Sequence, residues 1–309
     1  MHFSIVIPTY NSEKYIRRCL ESILAVDYPP DKFEVIVVDG GSNDRTLQYV
    51  MSYPQVTILK SDNISIGNSR NIGARYASGK FLGFIDSDCL VTSDVLKIAE
   101  KHLRQYECCG SFYRSSDDHG WIARTWLLAE RKKNGMVPWL PGGTLFVRQS
   151  FFWDIGGFNE HLHTQEDVEF ARRVREKGGQ LLNDHLLASV HLGQTDDLWS
   201  FFKKEMWRGK SLARSLFLQI RSGSKPPIFD IVIIIYLIAL IGFFFSLFLK
   251  SFWIAGFMMS LIISIPALFT IRKSLQARKL KYVLNLFLLY FVFLMARSLS
   301  VLRYALTHK

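Results

Sequence analysis

Three long apolar segments near the C-terminal end restrict the fold of this chain more than any other feature. They cover residues 228–249, 252–271 and 283–302, and only two residues separate the first from the second. About 20 consecutive apolar residues are enough for a helix to cross a bilayer. We therefore predict a domain at 228–309 with three transmembrane helices, the third weakened by Arg297. Burial of all three inside a large soluble core is the less favoured alternative.

Basic residues lie next to these apolar segments. The loop at 272–281 carries five Lys or Arg, and residues 197–227 mix Trp, Phe and Leu with Lys and Arg. Short loops rich in Lys and Arg mark the cytosolic side of a membrane. We predict a multi-pass protein of the cell membrane with a cytosolic catalytic domain at 1–196, since the N-terminus lacks the features of a signal peptide. Residues 197–227 are expected to form an interfacial amphipathic helix and linker, or else a solvated or partner-facing helix.

The formal net charge of the chain is +11, which suggests an anionic partner. The basic residues cluster beside the apolar segments, so we predict a bilayer partner and no nucleic acid. In the 197–227 segment, two explanations of the positive charge stay open. One is attraction to bulk anionic lipid, and the other is binding of a diphosphate on a lipid-linked acceptor. The residues concerned are Lys203, Lys204, Arg208, Lys210 and Arg214.

The first part of the chain alternates between strand and helix patterns. Buried apolar runs predict strands at 3–7, 33–39, 56–61 and 80–86, and helical spacing predicts helices at 12–25, from about 43, and at 66–79. Ser12 is a candidate N-cap of the first helix. Such alternation is typical of an α/β domain, Rossmann-like, with a mostly parallel sheet and helices on both faces. A second amphipathic helix is predicted at 164–179, ended by two glycines.

Polar residues follow three of the predicted strands at the points where they end. They occur at residues 8–11, 39–42 and 86–88. In parallel α/β sheets, ligands bind at the carboxyl ends of the strands. We therefore predict that these three segments form one pocket.

Two aspartates, Asp86 and Asp88, end the strand "FLGFID" abruptly. Carboxylates spaced in this way can hold a divalent cation that also binds substrate phosphates. A turn in which the aspartates accept hydrogen bonds from backbone amides is the structural alternative. This motif is not specific by itself.

Four ordered motifs together resemble those of the family-2 glycosyltransferases, which have the GT-A fold. The similar stretches are "VIPTYNSEKYIRRCLESIL", "EVIVVDGGSNDRT", "GNSRNIGARYASGKFLGFIDSD" and "GGTLFVRQSFFWDIGGFNEHLHTQEDVEFARRVREKG". The resemblance covers roughly residues 3 to 193. It implies a nucleotide-diphosphate sugar donor, with UDP favoured over GDP as the carrier, and a Mn²⁺ or Mg²⁺ cofactor.

The resemblance also implies roles for individual residues on the donor side. Asp88 is implied as the direct metal ligand, with Asp86 beside it on ribose or on a metal-bound water, and His191 completing the site or filling an ordinary core position. The residues implied to contact the donor are Pro8, Thr9, Tyr10, Glu13, Asp39, Arg70, Asp86, Gly142 and Gly143.

On the acceptor side, Asp167 resembles the catalytic base of the family and Glu166 its neighbour. A sugar hydroxyl needs a base to remove its proton as it attacks. The alternative is that both are acids favoured by the dipole in the first turn of a helix. With a base in place, in-line attack inverts the anomeric centre.

We therefore predict an inverting, metal-dependent transferase whose acceptor is a hydroxyl of a membrane-held, lipid-linked saccharide or glycan. A polyprenyl-phosphate monosaccharide synthase is the alternative enzyme, since a lipid phosphate needs no base. A catalytically silent membrane scaffold is the alternative from another class. The sugar, the linkage and the oligomeric state stay open.

Overall fold

The computed structural model describes residues 2–62, 65–116, 118–130, 133–162, 164–210, 212, 228–277 and 280–307. The chain divides into two compact units. The first unit contains residues up to Asp117 and Glu130–Gln194, and the second contains Asp118–Ala129 and Thr195–Lys309. The predicted domains at 1–196, 197–227 and 228–309 stay predictions, and this division places a short segment of the N-terminal half in the second unit.

In chain order the strands are β1 Phe3–Thr9, β2 Phe33–Asp39, β3 Val56–Lys60, β4 Phe81–Ile85, β5 Cys89–Leu90, β6 Cys108–Gly110, β7 Gly135–Met136, β8 Thr144–Arg148, β9 Leu181–Asn183 and β10 Val190–His191. The α-helices are α1 Ile16–Leu24, α2 Thr46–Val50, α3 Ile66–Tyr76, α4 Val95–Leu103, α5 Trp121–Glu130, α6 Gln149–Asp154, α7 Glu166–Glu176, α8 Leu198–Arg208, α9 Ile228–Phe248, α10 Phe252–Ala277 and α11 Val283–Thr307.

The first unit is built on a mixed sheet with strand order β3-β2-β1-β4-β8-β6-β9-β7 across its described residues. Strands β3, β2, β1 and β4 pair in parallel, while β8 runs antiparallel to both β4 and β6. The two short strands β5 and β10 form a separate antiparallel pair. The predicted mostly parallel sheet is thus confirmed, and its irregular half lies in the second part of the unit.

Both faces of this sheet are covered by helices, as its sequence pattern predicts. Ile5 and Ile7 of β1 point into one apolar core, together with residues of α1 and α4. Val6 points into the opposite core, together with residues of α3, α6 and α7. Strands buried on both faces read as continuous apolar runs rather than as alternating ones, which explains "FSIVI" and "FEVIVVD".

The predicted start of the first helix is wrong by one turn. Helix α1 begins at Ile16 after Tyr15, and no side chain caps its first turn. The Ser12 hydroxyl instead lies 2.8 Å from the Ser87 hydroxyl, and its backbone oxygen accepts from the amides of Tyr15 and Ile16. Ser12 is therefore used to join two loops rather than to cap the helix.

The second unit contains α8 to α11 and most of α5. Three of its helices are long and apolar enough to cross a membrane: α9, α10 and α11. Of these, α10 and α11 extend beyond the predicted ends, to Ala277 and Thr307. Helix α8 covers the start of the predicted interfacial segment; residues 211 and 213–227 lie outside the described residues, and so does Arg214.

A buried carboxylate, Glu205 of α8, ties this helix to α11. Its Oε1 accepts from Nη1 of Arg208 at 2.8 Å, and its Oε2 accepts from Nε of Arg297 at 3.0 Å. The Glu205 side chain has no solvent exposure. Burial acts to raise the pKa of Glu205, but the two guanidinium groups outweigh it and hold that pKa below its ordinary value. The charge of Arg297 inside the third apolar segment is therefore paired.

Helix α5 joins the second unit through aromatic contacts. The Trp126 ring lies 5.1 Å from that of Phe201 and 5.2 Å from that of Phe293, measured between centroids. Buried aromatic side chains contribute strongly to a core. These contacts explain why residues 118–129 belong to the second unit and not to the first.

Candidate active site

Three polar loops lie at the carboxyl edge of the parallel strands. Thr9 at the end of β1 is opposite Asp39 at the end of β2, and β4 pairs with the other side of β1 and leads into Asp86. Neighbouring strands lie about 4.8 Å apart, which puts the backbones at positions 39 and 86 on the order of 10 Å apart. The fold thus brings the three predicted segments to one edge.

Hydrogen bonds fasten the first loop to the other two. The amide of Asn11 donates to the Ser42 hydroxyl at 2.9 Å, and the amide of Asn43 donates to Oδ1 of Asn11 at 2.9 Å. The Ser12–Ser87 contact joins the same loop to the segment after β4. Asn11 has a positive φ of 48°, a conformation that asparagine tolerates better than most residues.

Several residues that are predicted to bind the nucleotide lie along this edge, and they differ in solvent exposure. Pro8 and Thr9 are buried, whereas Tyr10 is 45% exposed. Asp39 is buried, and its oxygens accept from the amides of Gly41 and Ser42 and from the Ser42 hydroxyl. These bonds close the turn after β2 and fix the carboxylate, which has further lone pairs for a ligand.

Glu13 is more exposed than Asp39. Its Oε2 accepts from both the backbone amide and Nε of Arg45 at 3.1 Å. The backbone hydrogen bond from Arg45, followed by the side-chain bond, lowers the pKa of Glu13. The residue is therefore ionised near neutral pH.

Both oxygens of Asp86 are taken by protein donors. Oδ1 accepts from Nη2 of Arg70 at 2.7 Å, and Oδ2 accepts from the Tyr113 hydroxyl at 3.0 Å. Such a carboxylate is held in one orientation and is less free to become a primary cation ligand. The predicted metal contact of Asp86 stays a prediction.

Asp88 is placed differently, beside His191. Strand β10 pairs with β5 so that His191 is opposite Cys89, and Nδ1 of His191 lies 3.5 Å from Oδ2 of Asp88. The Tyr113 ring meets the His191 ring edge-on at 4.6 Å. A Cβ at Gly193 would lie 2.1 Å from Oδ2 of Asp88, so a larger residue there would have to displace the carboxylate or the loop.

This donor set fits a divalent cation that is held jointly with a ligand. A carboxylate and an imidazole are both suitable ligands for Mn²⁺. Among the described residues, no group of three or more His, Cys, Asp or Glu side chains forms a complete cation cage. The remaining ligands would have to be diphosphate oxygens and water.

The two acidic residues of the "QEDVEF" motif lie in the first turn of α7 and face different partners. Glu166 is buried, and its Oε1 accepts from Nη1 of Arg70 at 2.7 Å. Asp167 accepts from the amide of Gly142 at 3.2 Å and from that of Val168 at 2.8 Å. Burial and the charge of Glu166 raise the pKa of Asp167 to about 7, against the lowering effect of Arg70 and the two amides. A carboxylate with that pKa is matched to proton transfer near neutral pH.

The two glycines before β8 lie between these groups. A Cβ at Gly142 would lie 2.4 Å from Nη1 of Arg70. The corresponding atom at Gly143 would stand 2.1 Å from Oδ2 of Asp86. The pair lets the loop backbone approach the buried charges of the site, and contact with donor sugar stays a prediction.

Sequence reasoning missed Tyr113 and Gly193. Tyr113 follows the three-residue strand β6, in a stretch without a periodic pattern, so the sequence carries no signal for it. Gly193 is two residues after His191 in "HLG", and a small residue beside a suspected ligand is a weak signal that was available.

Comparison with protein-family models gives one match. The model described as "Glycosyl transferase family 2" matches residues 4–161, which is about half of the chain and includes β2 to β8 and all of β1 except Phe3.

Individual relatives support the same family. Poly(ribitol-phosphate) beta-N-acetylglucosaminyltransferase TarS of Staphylococcus aureus is 40% identical over 111 residues, 34% of this chain and 19% of that protein. The match thus spans about a fifth of the length of this curated relative.

Two solved structures share the fold. A mannosyltransferase, PcManGT, from Pyrobaculum calidifontis in complex with GDP-Man and Mn²⁺ has a TM-score of 0.64 at 19% identity, covering 97% of this chain and 87% of that one. S. aureus TarS 1-349 in complex with UDP-GlcNAc has a TM-score of 0.53 at 19% identity, covering 99% and 92%. The GT-A fold expected for this chain is confirmed by these likenesses.

Proposed function

This chain belongs to glycosyl transferase family 2, and from that premise we propose that it is an inverting, metal-dependent enzyme. It transfers a sugar from a nucleotide-diphosphate sugar, most simply a UDP-sugar, to a hydroxyl of a membrane-held saccharide. The observation that carries the proposal is that the loop after β4 and the first turn of α7 are joined through Arg70. One site therefore contains both a donor side and an acceptor side.

On the donor side, the loops after β1 and β2 would hold the nucleotide. Tyr10 offers an exposed ring for the base, and Asp39 offers a fixed carboxylate for a base N–H or a ribose hydroxyl. Asp88 and His191 would hold Mn²⁺ or Mg²⁺ together with the diphosphate. When bound, such a cation acts as a Lewis acid that neutralises charge on the leaving nucleoside diphosphate.

On the acceptor side, Asp167 would accept the proton of the attacking hydroxyl. Its raised pKa keeps it basic enough for this step, and the amides of Gly142 and Val168 fix its two oxygens. Attack from the side opposite the leaving group inverts the anomeric centre. Glu166 differs from Asp167 in being held in an ion pair with Arg70.

The three helices that are long and apolar enough to cross a membrane support a membrane-held acceptor. We propose a multi-pass protein of the cell membrane with a cytosolic catalytic unit, which extends a lipid-linked glycan in cell-surface polysaccharide synthesis. TarS is named for transfer to poly(ribitol-phosphate), which supports a polymeric acceptor.

The test uses purified full-length protein and separate donors, starting with UDP-GlcNAc and GDP-Man. Donor hydrolysis and transfer are measured with Mn²⁺, with Mg²⁺ and with a chelator. Metal-dependent hydrolysis of one donor is expected. Absence of hydrolysis and of nucleotide binding with every donor contradicts the proposal, and full transfer by Asp167→Asn to a polyprenyl phosphate favours the alternative synthase.

A further inference from the structure

A single buried arginine, Arg70 of α3, binds one carboxylate from each half of the site. Its Nη2 donates to Asp86 and its Nη1 donates to Glu166, both at 2.7 Å. The Arg70 side chain is 2% exposed. Asp86 follows β4 and Glu166 begins α7, so the arginine joins two elements that are 80 residues apart in the sequence.

The guanidinium has little room to leave this position. The Phe158 ring lies 5.3 Å from its central carbon. A Cβ at Gly142 would lie 2.4 Å from Nη1, which shows how closely the loop backbone covers it. A side chain so enclosed, with each terminal nitrogen bonded to a carboxylate, is arranged to hold those two groups. Its Nε is buried and has no hydrogen-bond partner among the described residues.

We propose that Arg70 is a positioning residue that couples the donor side to the acceptor side, an inference that rests on the proposed function. The two carboxylates share one positive charge. When a nucleotide engages Asp86, a larger part of that charge becomes available to Glu166, beside the base Asp167. By reciprocity, a change at Glu166 alters the affinity for nucleotide at Asp86.

The geometry of the side chain explains why arginine is used. A guanidinium presents parallel donors in a rigid fork and binds two acceptors at once, whereas an ammonium is a compact point charge on a flexible stem. Loss of one partner from a buried ion pair leaves an uncompensated charge, which is costly. The coupling is therefore a property of all three residues together.

The decisive variant is Glu166→Gln, which changes a residue on the acceptor side and is read out on the donor side. Binding of UDP with Mn²⁺, and of GDP with Mn²⁺, is measured by calorimetry on the full-length protein. With Glu166 neutral, the guanidinium charge falls entirely on Asp86 and makes it a poorer acceptor. We expect Glu166→Gln to lower the affinity for whichever of UDP and GDP binds the wild type, by about fivefold or more.

The matched control is Glu169→Gln. Glu169 lies on the same helix, three residues on, and pairs with Arg172 and Arg173 instead of Arg70. Glu169→Gln should therefore leave the affinity for nucleotide unchanged. Arg70→Lys should lower the affinity and remove the effect of Glu166→Gln, because a lysine cannot bridge both carboxylates.

Equal nucleotide affinity in the wild type and Glu166→Gln overturns the inference while leaving the proposed function intact. If neither nucleotide binds the wild type, the proposed function fails. The coupling of Asp86 and Glu166 through Arg70 is then tested by thermal unfolding midpoints. The variants Asp86→Asn, Glu166→Gln and the double variant are then compared. Strong non-additivity is expected, because the two carboxylates share the arginine; additive effects overturn the coupling.

Discussion

His191 lies with its Nδ1 3.5 Å from Oδ2 of Asp88, because the short strands β5 and β10 pair with His191 opposite Cys89. The two residues are 103 positions apart in the sequence. Neither is held by the Arg70 bridge, which is bonded to Asp86 and Glu166. Of the aspartates after β4, Asp88 is thus the one beside the imidazole, and Asp86 is the one fixed by Arg70 and Tyr113.

Asp88→Asn is predicted to weaken metal-dependent binding of the nucleotide strongly. An amide is a neutral and weaker ligand than a carboxylate for a hard cation. We expect the affinity for UDP or GDP in the presence of Mn²⁺ to fall by about 100-fold, measured by calorimetry. Asp94→Asn is the control, since Asp94 is exposed and its side chain does not cap α4. Unchanged affinity in Asp88→Asn would mean that the cation is held elsewhere.

Gly193→Ala is predicted to act on the same site without removing a charge. The added methyl would stand 2.1 Å from Oδ2 of Asp88 and must displace either the carboxylate or the loop. The dependence of donor hydrolysis on Mn²⁺ concentration should shift to higher concentration by about tenfold. Gly256→Ala is the control, because a Cβ there meets nothing within 4 Å. If both variants titrate like the wild type, Gly193 has no part in shaping the site.

The regular half of the first unit could be predicted because neighbouring residues in the sequence determine where its strands begin and end. Strands β1, β2 and β4 are mostly apolar runs, and the polar residues at their ends show where they stop. The edge at which Asp39 and Asp86 gather then follows from the general behaviour of parallel sheets.

The parts that were not predictable depend on distant contacts. Tyr113 reaches Asp86 only because β6 pairs beside β8, and α5 joins the second unit only because Trp126 meets rings from α8 and α11. The role of Arg70 was also out of reach. Its sequence position suggested a ligand contact, which stays a prediction, and only the structure shows that its two terminal nitrogens donate to carboxylates.

Asp167→Asn is predicted to remove sugar transfer while leaving nucleotide binding nearly intact. Loss of a general base typically costs on the order of 10²–10⁴ in rate. The assay compares transfer with UDP–Mn²⁺ or GDP–Mn²⁺ affinity in the same preparation. Asp154→Asn is the control, since Asp154 forms only an exposed pair with Lys177. Transfer at the wild-type rate by Asp167→Asn would exclude it as the base.

The pH dependence of transfer should report the same group. Burial, together with the charge of Glu166, raises the pKa of Asp167 to about 7. A base works in its ionised form, so the rate should rise with pH through a midpoint near 7 and level off above it. The measurement is the transfer rate under saturating donor and acceptor between pH 5 and 9. An acid limb with its midpoint near 4 would show that Asp167 is not perturbed or is not the base.

Glu205→Gln is predicted to destabilise the second unit strongly. The glutamate has no solvent exposure and pairs with Arg208 and Arg297. Breaking a buried ion pair from one side leaves a buried charge without its partner, at a cost of about 3–5 kcal/mol. The thermal midpoint of full-length protein in detergent should therefore fall by several degrees.

Two further variants separate the buried pair from charge removal in general. Glu176→Gln removes an exposed partner of Arg172 on α7, and such surface pairs contribute only about 0–1 kcal/mol. Its midpoint should match the wild type. The double variant Glu205→Gln/Arg297→Gln should recover part of the loss, because both buried charges are gone. If the double variant is less stable than Glu205→Gln alone, then Arg297 is stabilised by groups other than Glu205, and the attachment of α8 to α11 does not depend on this pair.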